Sequence, residues 1–390
     1  MSISKMSVFS WKSFAVQLLP LLVLAQLAFG AKTFPRQLRR DNNGSSSSKG
    51  STAVEYPTCS SLSSSSSKSS KGGKKSKGKG SSCKEDDQVM VSTRATIDTV
   101  VTLESNLACI GPEFAVPCLT VSGPNAVLDC AGYRIDGASW ATGIEVTNGG
   151  TVQNCNLAGF NTVISMPLGD GTVKDSTVSG PNGSIGVRLD GSGCHTIDNL
   201  DVTTSSGVVL ESPKSGLALV KDFRQFGGIN GITGTPATTT LVIVDTTLRS
   251  LIGTGIGLSQ SQPGESLDIE FYGTNTLTDI PAGLVAVNAN PTSTVTASIQ
   301  GTLDITSRNG VGLSVNGVNF AVDEDAVVSL CGDSLQDITV NPSPAGPTVF
   351  NVAGTLNCDN AKTIFNPDTV GVPVCEPGCP TGVAPTCQED

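Results

Sequence analysis

A short motif returns along the middle of the chain at intervals of 19 to 29 residues. It reads Gly-apolar-x-apolar, and its eight copies begin at residues 143, 162, 186, 207, 231, 255, 283 and 312, with weaker matches at 162, 231 and 283. The successive spacings are 19, 24, 21, 24, 24, 28 and 29 residues. A motif that recurs at a nearly fixed interval indicates a repeat architecture, in which every repeat is one small structural unit.

A second motif follows the first inside the repeat and reads apolar-x-Asn/Asp-x-x-apolar. Clear copies occupy residues 152–157, 173–178, 197–202 and 243–248, whereas the copy at 220–225 ends in Gln225 instead of an apolar residue. Asn and Asp tolerate left-handed backbone angles, and their short side chains bond to the nearby backbone. The second motif therefore predicts a bend between two short strands.

These repeats predict an all-β chain folded as a parallel β-solenoid of roughly nine coils between residues 119 and 340. Each coil stacks about 4.8 Å above the previous one, so inward positions repeat Val, Ile and Leu while outward positions are free to be polar. The later coils are longer, and we expect their extra residues to form loops on one side. Leucine-rich repeats share the period but not the sequence, and a β-sandwich does not require a fixed period.

The segment LDCAGYRIDG at residues 128–137 resembles the opening of right-handed parallel β-helix proteins, the pectin-lyase-like superfamily. The lead-in at 101–109 and 119–121 is also similar to the first coil of such proteins. The resemblance implies a right-handed parallel β-helix over about residues 95–340. It leaves the function open, because this fold carries lyases, hydrolases, epimerases, adhesins and non-catalytic proteins.

Four regions follow from composition. Residues 1–30 have Lys5 and Lys12, an apolar stretch at 14–29 and a small-residue cleavage site, which is typical of a secretory signal peptide. Residues 31–84 are rich in Ser, Lys and Gly and are predicted to be disordered. The β-helix with an amino-terminal cap is expected at 85–340, and a Cys- and Pro-rich carboxy-terminal cap at 341–390. The sequence thus predicts a secreted protein, extracellular or in a cell wall, without a membrane span.

Charge is divided sharply along the chain. Residues 32–84 contain twelve Lys and Arg against Asp41 and Glu55, a net charge of +10, and residues 85–390 contain ten against 32 Asp and Glu, a net charge of −22. A cationic tail predicts attachment to an acidic polysaccharide or a mineral surface. Its Lys/Ser composition at 68–77 weakly resembles silaffin-like secreted proteins, and a plain flexible linker stays open. Without interleaved aromatic residues, the tail does not predict nucleic-acid binding.

Twelve cysteines in an exported chain predict disulfides. Spacings of 9, 25 and 27 residues suggest the pairs Cys109–Cys118, Cys130–Cys155 and Cys331–Cys358, and Cys59–Cys83 would close a loop in the tail. Zinc at Cys375, Cys379 and Cys387 is the alternative, but no His lies near them.

The run Arg36–Arg40 is either a processing site or a solvated basic stretch. Asn43 and Asn182 stand in N-glycosylation triplets.

A catalytic site has weaker support in the sequence. The Asn-Thr-Asp, Asp-Asp, Gly-His-Gly and Arg-Ile-Lys segments of related hydrolases do not stand in the solenoid region in that form. The best cluster is Arg188, Asp190 and His195, with Asp198 beside it and Asp170 and Asp175 one coil earlier. His195 is the only histidine in the chain, and single histidines are more often structural.

The sequence therefore favours a secreted, non-catalytic β-helix protein that is attached to a cell wall or an extracellular matrix and binds polysaccharide or mineral. The alternative is a polysaccharide lyase or glycoside hydrolase with Arg188, Asp190 and His195 as catalytic residues. No cofactor is predicted, although Asp residues at coil bends leave calcium possible.

Overall fold

The structure is a computed structural model that describes residues 89–91, 94–110, 116–137, 141–211, 215–332, 335–358, 363–365 and 367–377. The predicted signal peptide, the basic tail, the run Arg36–Arg40 and the glycosylation triplet at Asn43 lie outside these residues. So do Cys59, Cys83, Cys379 and Cys387. Nothing about these features is tested by the structure.

The described residues form a parallel β-solenoid of about ten turns and contain no helix. Each turn contributes up to three short strands, and each strand pairs in parallel with its equivalents in the turns before and after it. The strands therefore build three long faces, which we number in chain order within a turn. This architecture confirms the predicted fold class and agrees closely with the predicted number of turns.

The first face contains the Gly-apolar-x-apolar motifs, and its strands pair in an unbroken series. Its members are Ala95–Ile97, Pro117–Ser122, Thr142–Thr147, Thr162–Leu168, Ile185–Leu189, Ser206–Leu210, Asn230–Gly234, Thr254–Gln260, the later parts of Thr274–Asn288 and Thr302–Asn316, Gln336–Thr339 and Thr363–Ile364.

The second face begins near the amino end and reaches the last turns. Its members are Val100–Thr102, Val127–Asp129, Gly150–Gln153, the first parts of Gly171–Ser179, His195–Thr203 and Gly216–Phe226, then Thr239–Val244, Ser266–Tyr272, Thr294–Ile299, Asn319–Val322 and Val349–Val352.

The third face completes each turn. Its members are Val89–Val91, Leu107–Cys109, Arg134–Asp136, Asn156–Ala158, the later parts of Gly171–Ser179, His195–Thr203 and Gly216–Phe226, then Thr247–Arg249, the first parts of Thr274–Asn288 and Thr302–Asn316, Val327–Cys331, Thr355–Cys358 and Glu376–Pro377. The segment expected to be a cap at 85–117 thus contributes strands to all three faces.

The core consists of apolar side chains stacked on their equivalents in the next turn. One stack on the first face is fully buried from end to end and contains Ile144, Ile164, Val187, Val208, Ile232, Ile256, Leu284, Leu313 and Ile338. Burial of each such side chain contributes about 1.5–3 kcal/mol before the entropy cost. The register corrects one motif start, because Thr162 pairs with Thr142 and Val163 is the equivalent of Gly143.

A glycine stands one residue before this stack in most turns because the backbones there lie close together. A Cβ added to Gly231 would lie 2.3 Å from the carbonyl oxygen of Gly255 and 2.6 Å from a Leu248 methyl group. At Gly207 the added carbon would lie 2.2 Å from Gln225 Oε1. The glycine of the first motif therefore makes room for a large side chain that arrives from the third face.

The predicted bends are confirmed at the corner between the second and third faces. Five Asn and Asp residues there have positive φ angles of 48–54°, and they are Asn154, Asp175, Asn199, Asp222 and Asp245. At the irregular copy, Gln225 keeps the position of the missing apolar residue and is fully buried between Val202 and Leu248. Its Nε2 donates to the carbonyl of Asn230 at 3.0 Å, which offsets part of the cost of burying the amide.

The extra residues of the later turns lie mainly at one corner, between the first and second faces. The chain leaves the first face at Gln260 and rejoins the second at Ser266, and it does the same between Asn288 and Thr294. A longer excursion separates Thr339 from Val349. Loops on one side of the solenoid are therefore what the structure shows, as the unequal spacings predict.

Two disulfides are those that the spacing predicts, and one is not. Cys109 is joined to Cys118 and Cys130 to Cys155, but Cys358 is joined to Cys375. The predicted Cys331–Cys358 pair is wrong because Cys358 stands opposite Leu330, so strand alternation gives Cys358 a buried position and Cys331 a half-buried one. Cys331 belongs to another disulfide, and Cys194 is an exposed free thiol.

Within the ranges described above, no helix is long and apolar enough to cross a membrane.

Candidate functional site

Arg188 and Asp190, two of the predicted catalytic residues, lie at the end of a first-face strand. Arg188 faces outward and occupies the position that Thr120, Glu145 and Ser165 occupy in the three preceding turns. Its Nε lies 3.1 Å from Asp190 Oδ2, and its Nη2 lies 3.6 Å from Glu211 Oε1 of the next turn. The guanidinium charge is thus balanced by two carboxylates, and 40% of the Arg188 side chain remains exposed.

His195, the third predicted catalytic residue, points into the solenoid. It begins the strand His195–Thr203 on the second face, in register with Gly171 and Ala218, and is fully buried. Its Nε2 lies 2.7 Å from the carbonyl oxygen of Gly169 and donates to it, because a carbonyl can only accept. The structure therefore places His195 in the core and the Arg188–Asp190 pair at the surface.

The neighbouring carboxylates of the predicted cluster serve local roles. Asp170 Oδ1 accepts from the backbone N–H of Cys194 at 2.8 Å, next to His195. Asp198 pairs with Lys221 of the next turn at 3.4 Å. Asp175 Oδ1 accepts from Asn199 Nδ2 at 2.8 Å. Each carboxylate binds a group one turn away, which is a stabilising arrangement for a solenoid.

A ladder of polar side chains runs along the corner between the second and third faces. We use the name "corner ladder" for this set of side chains, which consists of Asp129, Gln153, Asn154, Asp175, Asn199 and Arg224. Gln153 and Asn154 both donate to the Asp129 carboxylate, at 2.8 and 3.0 Å. Two turns on, Arg224 Nη2 donates to Asn199 Oδ1 at 2.9 Å. The corner ladder thus links one turn to the next through side chains that hold the left-handed bends.

The charged groups at this corner are stabilised in their ionised forms. The backbone N–H of Ala131, followed by the Asn154 and Gln153 amides, lowers the pKa of Asp129. The Asp201 carboxylate raises the pKa of Arg224 through a hydrogen bond, and Asp222 and Asp198 raise the pKa of Lys221. Groups that keep their charge at neutral pH suit ion pairing and do not suit proton transfer.

An open groove of about 440 Å³ lies along the same corner. It is lined by Ala131, Gly132, Asn154–Asn156, Asp175 and Thr177. Asn156 and Thr177 are exposed outward residues that stand opposite each other on the third face, and the Cys130–Cys155 disulfide lies beneath them. The groove could not be foreseen from the repeat pattern, because it depends on two extra residues between Asp129 and Arg134 that the next turn lacks between Gln153 and Asn156.

Sequence reasoning also missed three buried amides in the later turns. Asn275 and Gln260 are fully buried and Asn288 is 3% exposed. Asn275 Oδ1 accepts from Thr246 N–H at 3.1 Å, and its Nδ2 donates to the Tyr272 carbonyl at 2.8 Å. No sequence signal separates these amides from ordinary turn residues, because their burial depends on the register between turns.

Among the described residues, no group of three or more His, Cys, Asp or Glu side chains is arranged to hold a metal ion. Comparisons with known protein families, curated proteins and solved structures find no match for this chain. The fold assignment therefore depends on the strand pairing, and no comparison supports the resemblance to the pectin-lyase-like superfamily.

Proposed function

We propose that this protein is a secreted, non-catalytic β-solenoid that attaches to a cell wall or extracellular matrix through the basic segment 32–84, which binds acidic polysaccharide or a mineral surface. The observation that carries the proposal is the division of charge, +10 in residues 32–84 against −22 in residues 85–390. An anionic polymer is attracted by the first segment and repelled by the second. Attachment through one end leaves the solenoid projecting from the matrix.

The ion pairs of the solenoid support this division of roles. Six of the eight Lys and Arg side chains in the described residues form ion pairs, and five of these pairs join different turns. The five are Arg94–Glu145, Arg188–Glu211, Lys221–Asp198, Arg224–Asp201 and Arg308–Asp279. Cations that hold neighbouring turns together have less charge to offer an acidic ligand than the unbalanced basic segment.

The test compares retention of three proteins on polygalacturonate, silica and uncharged cellulose. The first is residues 31–390, the second lacks residues 32–84, and the third keeps the length but has the twelve Lys and Arg of that segment replaced by Gln. We expect only the first to bind polygalacturonate or silica at low salt and to elute as salt rises. Equal retention of the first and third proteins would refute attachment through the basic segment.

The alternative, a polysaccharide lyase or glycoside hydrolase, is favoured by one observation, the partly exposed Arg188–Asp190 pair on the first face, whose side chains are 40% and 24% exposed. An activity screen on acidic and neutral polysaccharides, with and without calcium, would follow unsaturated uronates and new reducing ends. Cleavage that disappears in Asp190→Asn at an unchanged melting temperature would replace our proposal with this alternative. His195→Gln is a less informative variant, because it changes the core.

A further inference from the structure

The turn that contains Asn182 projects from the corner between the third and first faces. Ser184 N–H donates to the Pro181 carbonyl at 3.0 Å and closes the turn, while Gly183 has a φ of +88°. Asn182 is exposed and Ser184 is 1% exposed. The side chain of Asn182 thus stands in solvent within the triplet Asn182-Gly183-Ser184.

An exposed apolar strip lies along the same corner, two and three turns further on. It consists of Phe226, Ile229 and Ile252, which are 51%, 40% and 69% exposed. Backbone and side-chain bonds connect the successive turns of this corner. Gly183 N–H donates to Ser205 Oγ at 2.6 Å, Ile229 N–H to the Ser205 carbonyl at 2.7 Å, and Ile252 N–H to the Gly228 carbonyl at 3.1 Å.

These bonds fix the distance between the Asn182 turn and the strip. At about 4.8 Å per turn, Ile229 lies about 10 Å and Ile252 about 14 Å further along the solenoid axis than Asn182. Three large apolar side chains exposed at successive turns of one corner require a partner more often than single ones do. The first sugars of a chain attached at Asn182 have the length to cover them.

We propose that Asn182 carries an N-linked glycan whose first sugar residues lie over the strip formed by Phe226, Ile229 and Ile252. Pyranose rings present C–H groups on their faces and hydroxyl groups at their edges. Such rings can contact the Phe226 ring and the two Ile side chains while keeping their hydroxyl groups in water. The glycan would thus occupy an apolar surface that no described part of the protein covers.

The modification is the transfer of an oligosaccharide from a lipid diphosphate carrier. A bond forms between the Asn182 amide nitrogen and the anomeric carbon of the first sugar, the bond from that carbon to the carrier's diphosphate oxygen breaks, and the amide loses one proton. The acceptor triplet requires the Ser184 hydroxyl, which is buried once the turn is closed. Transfer must therefore precede the folding of this turn, as it does on a chain entering the secretory pathway.

The inference rests on the export part of the proposed function, so the test separates the two. Residues 31–390 with a foreign secretion leader, and the chain with its own residues 1–30, are expressed in a eukaryotic secretory host. Both carry Asn43→Gln, so that the triplet at Asn182 is the remaining one. If the chain with its own residues 1–30 is not secreted, while the chain with the foreign leader is secreted and glycosylated, export by residues 1–30 is refuted. The glycan proposal then stands.

The expected result is the loss of one glycan mass on treatment with peptide N-glycosidase. Asn182→Gln should abolish this mass shift, and Ser184→Thr should keep it. Asn148→Gln is the matched control, because Asn148 is an exposed Asn before Gly that lies outside a triplet, and it should keep the shift. A secreted protein with the foreign leader and no mass shift would overturn the glycan.

A second measurement tests where the glycan lies. Removal of the glycan should increase the binding of a hydrophobic dye, and the increase should disappear in Phe226→Ser/Ile252→Ser. The matched control is Leu168→Ser, a 63% exposed apolar residue at another corner, which should leave the increase unchanged. Glycan removal without a change in dye binding would overturn the covering of the strip while leaving the modification established.

Discussion

In the first half of the solenoid, from Pro117 to Arg249, the bends between the second and third faces are made by Asn and Asp residues with positive φ angles, held by exposed side-chain hydrogen bonds. In the second half, from Thr254 to Cys358, the buried amide of Asn275 binds backbone groups at the same corner, and that of Asn288 does so at the corner between the first and second faces. The apolar stack on the first face continues without a break through both halves. The core thus sets the fold, and two different kinds of polar contact can hold its corners.

The charges differ between the halves as well. Residues 94–249 contain eight Lys and Arg against 14 Asp and Glu, whereas residues 250–390 contain two against 15. Seven of the eight described ion pairs lie before Arg249, and the eighth joins Arg308 to Asp279. We therefore expect the first half to respond to salt and pH, and the second half to the loss of buried hydrogen bonds.

Asn275→Ala should produce the largest loss of stability. The change leaves the Thr246 N–H and the Tyr272 carbonyl without their amide partner, at a combined cost of about 3 kcal/mol. The free energy of unfolding from denaturant titration measures it. Thr276→Ala, the next residue on the outward side of the strand, is the control and should change stability little. A loss equal to that of the control would show that water replaces the amide.

Asn199→Ala should cost less, about 1–2 kcal/mol. The backbone at this position is left-handed, a conformation that Asn tolerates and Ala does not. The change also removes the exposed bonds to Asp175 and Arg224. Asn199→Gly removes the same bonds without the backbone strain, so it should recover most of the loss in the same titration. Equal losses in the two variants would assign the cost to the corner ladder and not to the bend.

The comparison also shows what could be predicted from the sequence. The period, the inward Val, Ile and Leu positions and the left-handed Asn and Asp bends all follow from local patterns, and the structure confirms them. The burial of His195 was missed because the second motif begins two residues later at Ile197, although a strand that extends back from the inward Ile197 places His195 on the same face. The Cys358–Cys375 disulfide likewise depends on a one-residue register that spacing alone does not fix.

Arg224→Gln should have a smaller effect that depends on ionic strength. Arg224 pairs with Asp201 and donates to Asn199, and its side chain is 43% exposed. Exposed pairs of this kind contribute about 0.2–1 kcal/mol, and salt screens them. The difference in unfolding free energy between wild type and variant should therefore shrink at high salt. The difference in unfolding free energy between wild type and Asn275→Ala should not depend on salt. If that difference also shrank at high salt, the proposed division between the two halves would be contradicted.

Asp129→Asn should give the smallest effect, and only above acidic pH. Hydrogen bonds lower the pKa of folded Asp129 below its unfolded value, so its contribution is present above the unfolded pKa and is lost as pH falls through the folded pKa. Wild type should thus exceed the variant in stability at neutral pH, and the two should converge in strong acid. The measurement is denaturant unfolding at both pH values. A difference that grows on acidification would mean that the pKa is raised.

The close approach at Gly231 has a consequence for how such a chain can lengthen. A carbonyl of the next turn occupies the space that a Cβ would need at Gly231, so most turns fit on their neighbours with a glycine at this position, and the turn that has Val163 there is an exception. A duplicated stretch of one repeat contains that glycine, its stacking residue and its bend together. Whole turns can therefore be added or lost by copying errors without new packing, whereas a partial insertion would place a bulky residue in the contact.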